Sequence, residues 1–326
     1  LSRPRVLVTH PLFEAAREVL DRRFEVDYFS TPVRPPRAEV LKRVADKDAL
    51  ICLLTEKVDE ELLSIAPNLK IAATVSVGYD NLDIPACTRH HVAATNTPGV
   101  LDKTTADFAW TLMMAVARRL VEADSFIRSN SWRGWNIDQF CGADVWGKKL
   151  GIYGFGRIGR EMARRAQGFD MRVIYFNRGR APREVEQALH AEFVPADQLL
   201  AESDYVSLHV PLTPDTRHLI NAAALKKMKP TAFLINTTRG PVVDEAALVE
   251  ALTAGTIAGA ALDVFEREPD VNPGLLPLKN VVLAPHIASA SLETRTKMAL
   301  MAVENVAAFF DGRRPPNLIN PEALGG

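Results

Sequence analysis

The chain has 326 residues, 47% apolar and 24% charged, an ordinary globular composition with length for two hydrophobic cores. A formal net charge of −1 draws no polyanion from a distance, so nucleic acid is not an expected partner. No segment reaches the roughly 18 consecutive apolar residues of a membrane helix, and the apolar run in the opening LSRPRVLVTH is too short for a signal segment, so the cytoplasm is the expected compartment and no membrane partner is expected.

The first hundred residues alternate short apolar runs with helical patterns. Strands are expected at Arg5 to Thr9, Glu25 to Phe29, Ala49 to Leu53, Ile71 to Val75 and Val92 to Thr95, with helices beginning near Leu12, Ala38, Glu60 and Leu82. Helix-length crossovers between apolar strands imply a mostly parallel sheet covered on both faces. From Thr104 to about Ile127, Phe108, Leu112, Ala115, Val116 and Leu120 form an apolar stripe, which predicts one long helix. Asn130 to Val145 is polar and rich in tryptophan without clear periodicity, and reads as an excursion. A second α/β series follows, with strands at Lys149 to Tyr153, Arg172 to Phe176, Tyr205 to Leu208, Ala232 to Asn236, Ala258 to Leu262 and Val281 to Leu283, enough for a doubly wound sheet. The last helical pattern, Leu292 to Phe310, has no remaining strand to serve and could return the chain to the first domain. Cys52, Cys87 and Cys141 form neither a CxxC pair nor a disulfide framework and read as small buried side chains; no metal site is expected.

Gly154-Phe155-Gly156-Arg157-Ile158-Gly159 follows the strand LGIY directly and opens a helical pattern through Ala166. In that context GxGxxG is a dinucleotide signal. Gly154 permits the tight turn, Gly156 lets backbone approach a pyrophosphate, and Gly159 lets helix and strand pack closely, while the uncapped amides from Arg157 and Ile158 onward face the anion. The next strand ends at Asn177, 23 residues after Gly154, where an NAD enzyme usually carries a carboxylate for the ribose hydroxyls. Asn177, Arg178, Gly179 and Arg180 stand there instead, and guanidinium groups can bond a 2'-phosphate that a carboxylate would repel. NADP(H) is the favoured cofactor, with NAD(H) use still open.

The order of several further motifs resembles that of the D-isomer-specific 2-hydroxyacid dehydrogenases, in their glyoxylate/hydroxypyruvate reductase and 2-ketogluconate reductase branch. These are SVGYDNLD at Ser76 to Asp83, NTPGV at Asn96 to Val100, TADFA at Thr105 to Ala109, HVPLTPDTRHLI at His209 to Ile220, NTTRGPVVDEAAL at Asn236 to Leu248, ALDVFEREP at Ala261 to Pro269 and PHIASAS at Pro285 to Ser291. The resemblance implies an α/β fold in which a Rossmann-type cofactor domain, 101–288, is inserted in a smaller flavodoxin-like substrate domain, 1–100 with 289–326. It further implies a site in the cleft between domains and a homodimer.

It also implies site residues. His286 would donate a proton to the substrate carbonyl oxygen and accept it in reverse, Glu268 would hold the other ring nitrogen, and Arg239 would bind the 2-keto acid and polarise its carbonyl. Val77 and Gly78 match the loop whose amides receive the substrate carboxylate. Asp263 matches a residue near the nicotinamide carboxamide, and Pro211 and Thr237 match loops lining the cofactor site. The expected activity is NAD(P)H-dependent reduction of small 2-keto acids, foremost glyoxylate and hydroxypyruvate. In animal-type relatives the excursion supplies a tryptophan to the partner's site, but its match here is Gln139, with Trp132, Trp135, Phe140 and Trp146 nearby. That departure leaves 2-ketogluconate, or a bulkier 2-keto acid, as an alternative substrate. A cofactor-sensing regulatory protein of the same fold and a purely structural α/β protein are the alternatives of other classes.

Overall fold

The computed structural model describes residues 3–31 and 34–325. The chain divides into two units, Leu1–Leu101 with Ala290–Gly326, and Asp102–Ser289. Residues 1, 2 and 326, the outermost of the ranges expected from sequence, lie outside the described residues.

The first unit opens with β1 (Arg5–Val8), α1 (Glu14–Arg23), β2 (Glu25–Tyr28), α2 (Arg37–Val44), β3 (Ala49–Cys52), α3 (Glu60–Ile65), β4 (Ile71–Thr74), α4 (Ile84–Arg89) and β5 (Ala93–Thr95). The strands pair in parallel in the order β2-β1-β3-β4-β5. β3 and β4 are buried at every position, as largely apolar strands between two layers must be. Short helices start where a side chain satisfies an end amide: Asp59 accepts from Leu62 N at 3.2 Å and Asp83 from Ala86 N at 3.0 Å.

The second unit begins with α5 (Asp102–Ala117) and α6 (Leu120–Arg128). These replace the single long helix that the apolar stripe predicts. Arg119 adopts the left-handed conformation, with φ 53°. The returning chain takes the last turn's acceptor instead, Ala143 N donating to Ala117 O at 2.8 Å. Gly142 lies so close that a Cβ there would stand 2.2 Å from the same oxygen, and Arg119 is held by Glu122 at 2.9 and 3.0 Å. Residues 130–145 contain no helix or strand, and Cys141, expected to be buried, is exposed there. Cys52 and Cys87 are buried.

There follow β6 (Lys149–Tyr153), α7 (Arg157–Gln167), β7 (Arg172–Phe176), α8 (Arg183–Leu189), β8 (Ala191–Phe193), α9 (Ala196–Glu202), β9 (Tyr205–Leu208), α10 (Ala222–Lys227), β10 (Phe233–Asn236), α11 (Glu245–Thr253), β11 (Gly259–Leu262) and β12 (Val281–Leu283). The seven strands run parallel in the order β12-β11-β10-β9-β6-β7-β8. β8 is an edge strand that the periodicity does not announce. One face of the sheet buries Met113 of α5 and Met162 of α7 with Tyr175 and Tyr205; the other buries Leu199, Leu225 and Leu248 from α9, α10 and α11. The winding direction reverses between β6 and β9, where an open α/β sheet leaves a crevice at its carboxyl ends.

The chain then re-enters the first unit as α12 (Leu292–Phe310), capped by Ser291. Ala302, Val303 and Val306 of α12 pack over Val6, Val8, Ile51, Ile71 and Ala73. Beyond α12, Ile319 N donates to Ala94 O at 2.8 Å, and the Asn320 side chain bonds Ala94 N and Val92 O along β5.

Candidate active site

The glycine turn leaves the carboxyl end of β6 at the reversal point. Gly154 has φ +99°, and a Cβ on it would lie 2.5 Å from His209 O; a Cβ on Gly159 would lie 2.2 Å from Gly154 O. The fold itself therefore favours glycine at both positions. Gly156 is different: a Cβ there would meet no atom within 4 Å. Nothing among the described residues demands glycine at that exposed position, whereas a pyrophosphate resting on the turn would. Arg157 is exposed and Ile158 half-buried at the start of α7.

At the end of β7, Asn177 closes a turn through Nδ2 to Gly179 O at 3.1 Å. Arg178 is exposed and has no carboxylate partner among the described residues. Arg180, read from sequence as a second phosphate donor, is committed elsewhere. Its Nε and Nη2 each donate to Glu186 at 2.9 Å.

Arg239 follows β10 on a turn built by Asn236. The buried Asn236 side chain donates to Arg239 O at 3.0 Å and accepts from Thr238 N at 3.0 Å and Thr238 Oγ1 at 2.7 Å. Gly240 then presses on the segment carrying Glu268: a Cβ at Gly240 would fall 1.8 Å from the carbonyl carbon of Phe265. Glu266 ties neighbouring pieces to that segment, accepting from His218 Nε2 at 2.5 Å and donating through its amide to Glu245 Oε1 at 2.6 Å.

Glu268 and His286 meet. Glu268 Oε2 stands 2.8 Å from His286 Nδ1, while Oε1 accepts from Phe265 N at 3.0 Å. Burial pushes the Glu268 carboxyl up, but the His286 hydrogen bond and charge, the Phe265 amide and the Arg239 charge outweigh it and hold the group below the ordinary glutamate range. An ionised carboxylate only accepts, so Nδ1 is the donor and Nε2 is left to exchange a proton.

His286 is itself in the left-handed conformation, φ 54°, costly for a residue with a Cβ. Asp263 holds it there. Asp263 O accepts from His286 N at 2.8 Å, and the two carboxylate oxygens accept from Ile287 N at 2.7 Å and Ala288 N at 2.8 Å. Burial raises the Asp263 carboxyl above its usual range despite those amides. Thr237 is buried, and its Oγ1 has no partner among the described residues. Pro211 lies exposed after β9, its carbonyl accepting from Thr216. A nicotinamide dinucleotide thus fits this unit on two counts, the open face of Gly156 and the unspent Thr237 hydroxyl. In the first unit, the carbonyls of Val77 and Gly78 are taken by Asn96 Nδ2 at 2.8 Å and Ser76 Oγ at 2.6 Å, while their amides bond nothing among the described residues.

Sequence reasoning missed the residues that position the others: Asn236, Gly240, Glu266 with His218, and Asp263 as a holder of backbone. Small or polar residues at strand ends were the available signal, but their partners lie up to 48 residues away.

The family model for the NAD binding domain of D-isomer specific 2-hydroxyacid dehydrogenases matches residues 110–288. The glyoxylate reductase of Thermococcus litoralis is 51% identical over 326 residues, covering 99% of this chain and 98% of that protein. That of Aeropyrum pernix is 49% identical over 330 residues, again covering 99% and 98%. Among solved structures, the TT0316 protein of Thermus thermophilus superposes with a TM-score of 0.91 at 43% identity, covering 97% of this chain and 99% of the other. The NADPH-dependent glyoxylate/hydroxypyruvate reductase of Sinorhizobium meliloti, solved with NADP and malonate, gives 0.86 at 35% identity, covering 99% and 98%. Kinship over nearly every residue, together with the glycine turn and the His286–Glu268 pair, makes this chain a member of the D-isomer-specific 2-hydroxyacid dehydrogenase family.

Proposed function

We propose that the protein reduces small 2-keto acids, foremost glyoxylate and hydroxypyruvate, to 2-hydroxy acids, with NADPH preferred over NADH. The observation that carries the chemistry is the Glu268 carboxylate fixed on His286 Nδ1, which leaves Nε2 as a directed proton donor. A reduced nicotinamide, when bound, supplies the hydride that adds to the carbonyl carbon. His286 delivers the proton to the carbonyl oxygen and is recharged from solvent; in the reverse direction neutral Nε2 accepts it. Arg239 offers its donor fork to the keto acid and stabilises the negative charge that grows on the carbonyl oxygen. The unspent amides of Val77 and Gly78 receive the substrate carboxylate. The unit 1–101 with 290–326 is assigned to substrate and 102–289 to the dinucleotide.

Cofactor preference rests on Arg178, exposed beside the turn at Asn177 where a carboxylate would otherwise select an unmodified ribose. The substrate reading is supported by the relatives of about half identity, which are glyoxylate reductases. The test compares kcat/KM for glyoxylate and hydroxypyruvate with their methyl esters, under NADPH and NADH, in wild type and Arg178→Ala. Equal use of acids and esters refutes carboxylate anchoring; an intrinsic NADH preference refutes the cofactor assignment.

The working form is a homodimer. Leu120, Val121, Ile127, Trp132, Trp135, Ile137 and Trp146 are all exposed within one stretch, Trp135 at 80%. Val121 also lines a groove of about 1050 Å³, formed with Phe126 of α6, Phe140, Leu276 and Val281 among others. An apolar surface so concentrated requires cover. Light scattering gives the mass directly, and a monomer at micromolar concentration overturns the assignment.

A further inference from the structure

The Arg180–Glu186 pair is more than a surface ion pair. The Glu186 side chain is only 8% exposed whereas that of Arg180 is 65% exposed, so the guanidinium covers the carboxylate from the solvent side. Beneath, Tyr175 Oη donates to Glu186 Oε1 at 2.6 Å and accepts from Ala181 N at 2.9 Å. Tyr175 is fully buried and stacks on Phe155 of the glycine turn, ring centroids 4.0 Å apart. One tyrosine thus joins the turn proposed for the pyrophosphate to the loop proposed for the adenosine ribose, and the same tyrosine fixes an anion under that loop.

That anion creates a problem for a 2'-phosphate. A carboxylate at the strand end that bonds the ribose hydroxyls selects against NADP, and an anion held beneath the same loop would repel a 2'-phosphate by its charge alone. Here the strand end is Asn177, but α8 brings Glu186 back under the loop. Both oxygens of Glu186 are covered by Arg180, in the two-bond geometry that best neutralises a carboxylate.

We infer that Arg180 acts as a charge mask over Glu186, and not as a ligand of the cofactor, so that the loop tolerates a 2'-phosphate that Arg178 alone receives. Arg180 is then a specificity-determining residue that works through another side chain. The inference rests on the proposed placement of the cofactor at this loop. Its content is distinct, because a phosphate ligand and a mask respond oppositely to removal of Glu186.

The experiment measures Kd for NADPH and NADH by nicotinamide fluorescence in wild type, Arg180→Ala, Glu186→Gln, the double variant Arg180→Ala/Glu186→Gln, and Arg178→Ala. Exposing the carboxylate to a doubly charged phosphate across about one Debye length weakens NADPH binding roughly tenfold in Arg180→Ala and leaves NADH nearly unchanged. The double variant restores NADPH affinity to within about threefold of wild type, since neither charge remains. A double variant as impaired toward NADPH as Arg180→Ala overturns the mask and makes Arg180 a phosphate ligand. An Arg180→Ala protein with unaltered NADPH affinity overturns the mask as well. Should Arg180→Ala fail to fold, the double variant, which buries no unpaired charge, decides alone against wild type. Arg178→Ala reports on the underlying placement separately: an unchanged NADPH to NADH ratio there refutes the phosphate site without bearing on the comparison between the single and double variants.

Discussion

Replacing Glu268 with glutamine tests the proton-transfer chemistry more sharply than deleting the histidine. Glutamine preserves size and can keep both contacts only by sorting its two ends. Phe265 N donates at 3.0 Å, so the amide oxygen must face it, and the amide nitrogen then faces His286 Nδ1 across 2.8 Å. Two donors cannot share that bond, so Nδ1 becomes the acceptor and the ring's single proton moves to Nε2. A neutral ring with its proton on Nε2 serves neither as the charged donor in reduction nor as the base in oxidation. The variant should lose most of what positioned acid–base catalysis supplies, about 10²–10⁴-fold in kcat in both directions. The opposite rotamer places an amide nitrogen against Phe265 N and forfeits a charge-assisted hydrogen bond of about 1.5–3 kcal/mol, roughly ten- to a hundredfold. Initial rates of glyoxylate reduction and glycolate oxidation, with circular dichroism to verify folding, measure both. A folded Glu268→Gln enzyme within about threefold of wild-type kcat in either direction would refute the assignment of His286 as the proton-transfer group.

Gly156→Ala should leave unfolding stability within about 0.5 kcal/mol of wild type while weakening NADPH and NADH binding alike, because its Cβ meets no protein atom; Gly159→Ala, 2.2 Å from Gly154 O, should destabilise by about 1–3 kcal/mol, and equal effects of the two in urea melts would be inconsistent with this division. Gly240→Ala must push Phe265 away and with it Glu268, so kcat should fall at least about tenfold while NADPH binding persists; unaltered turnover would disprove the coupling. Burial lowers His10 to about 4 and His209 to about 3, so the unfolded chain takes up protons first as pH falls below the ordinary histidine value. Their contribution to stability is complete above that value and lost towards those lower ones, by at most about 1.4 kcal/mol per pH unit for each; equal urea stability at pH 7 and pH 5 argues against both being buried neutral.

The sequence exposed those features whose cause is local. Largely apolar runs such as Ala49–Cys52 and Tyr205–Leu208 became buried parallel strands, and the glycine spacing placed the turn after β6. The break at Arg119 was invisible because the apolar stripe runs on through it; the deciding contact comes from Ala143, whose amide takes a carbonyl 26 residues back. β8 has three residues and only one of them buried, too little for a periodicity. In the site, Arg239, Glu268 and His286 stand in signature segments, and the structure brings Glu268 onto His286. The commitment of Arg180 to Glu186 could not be read, since a guanidinium beside a turn looks the same whichever way it points.

The late position of α12 in the chain governs how the protein can be made. The face of the first sheet that holds Val6, Ile51 and Ala73 is closed by Ala302, Val303 and Val306, and β5 is edged by Ile319 and Asn320. On the ribosome these partners arrive only after the whole of Asp102–Ser289 has been made, a wait of about 10–40 s at ordinary elongation rates. Through that interval the first hundred residues carry an apolar sheet face that Ala16, Leu20 and Phe24, from α1 and its end, cover only in part. The order of synthesis therefore makes the second unit the first that can complete its own core, and makes the N-terminal sheet the part of the nascent protein most in need of a chaperone.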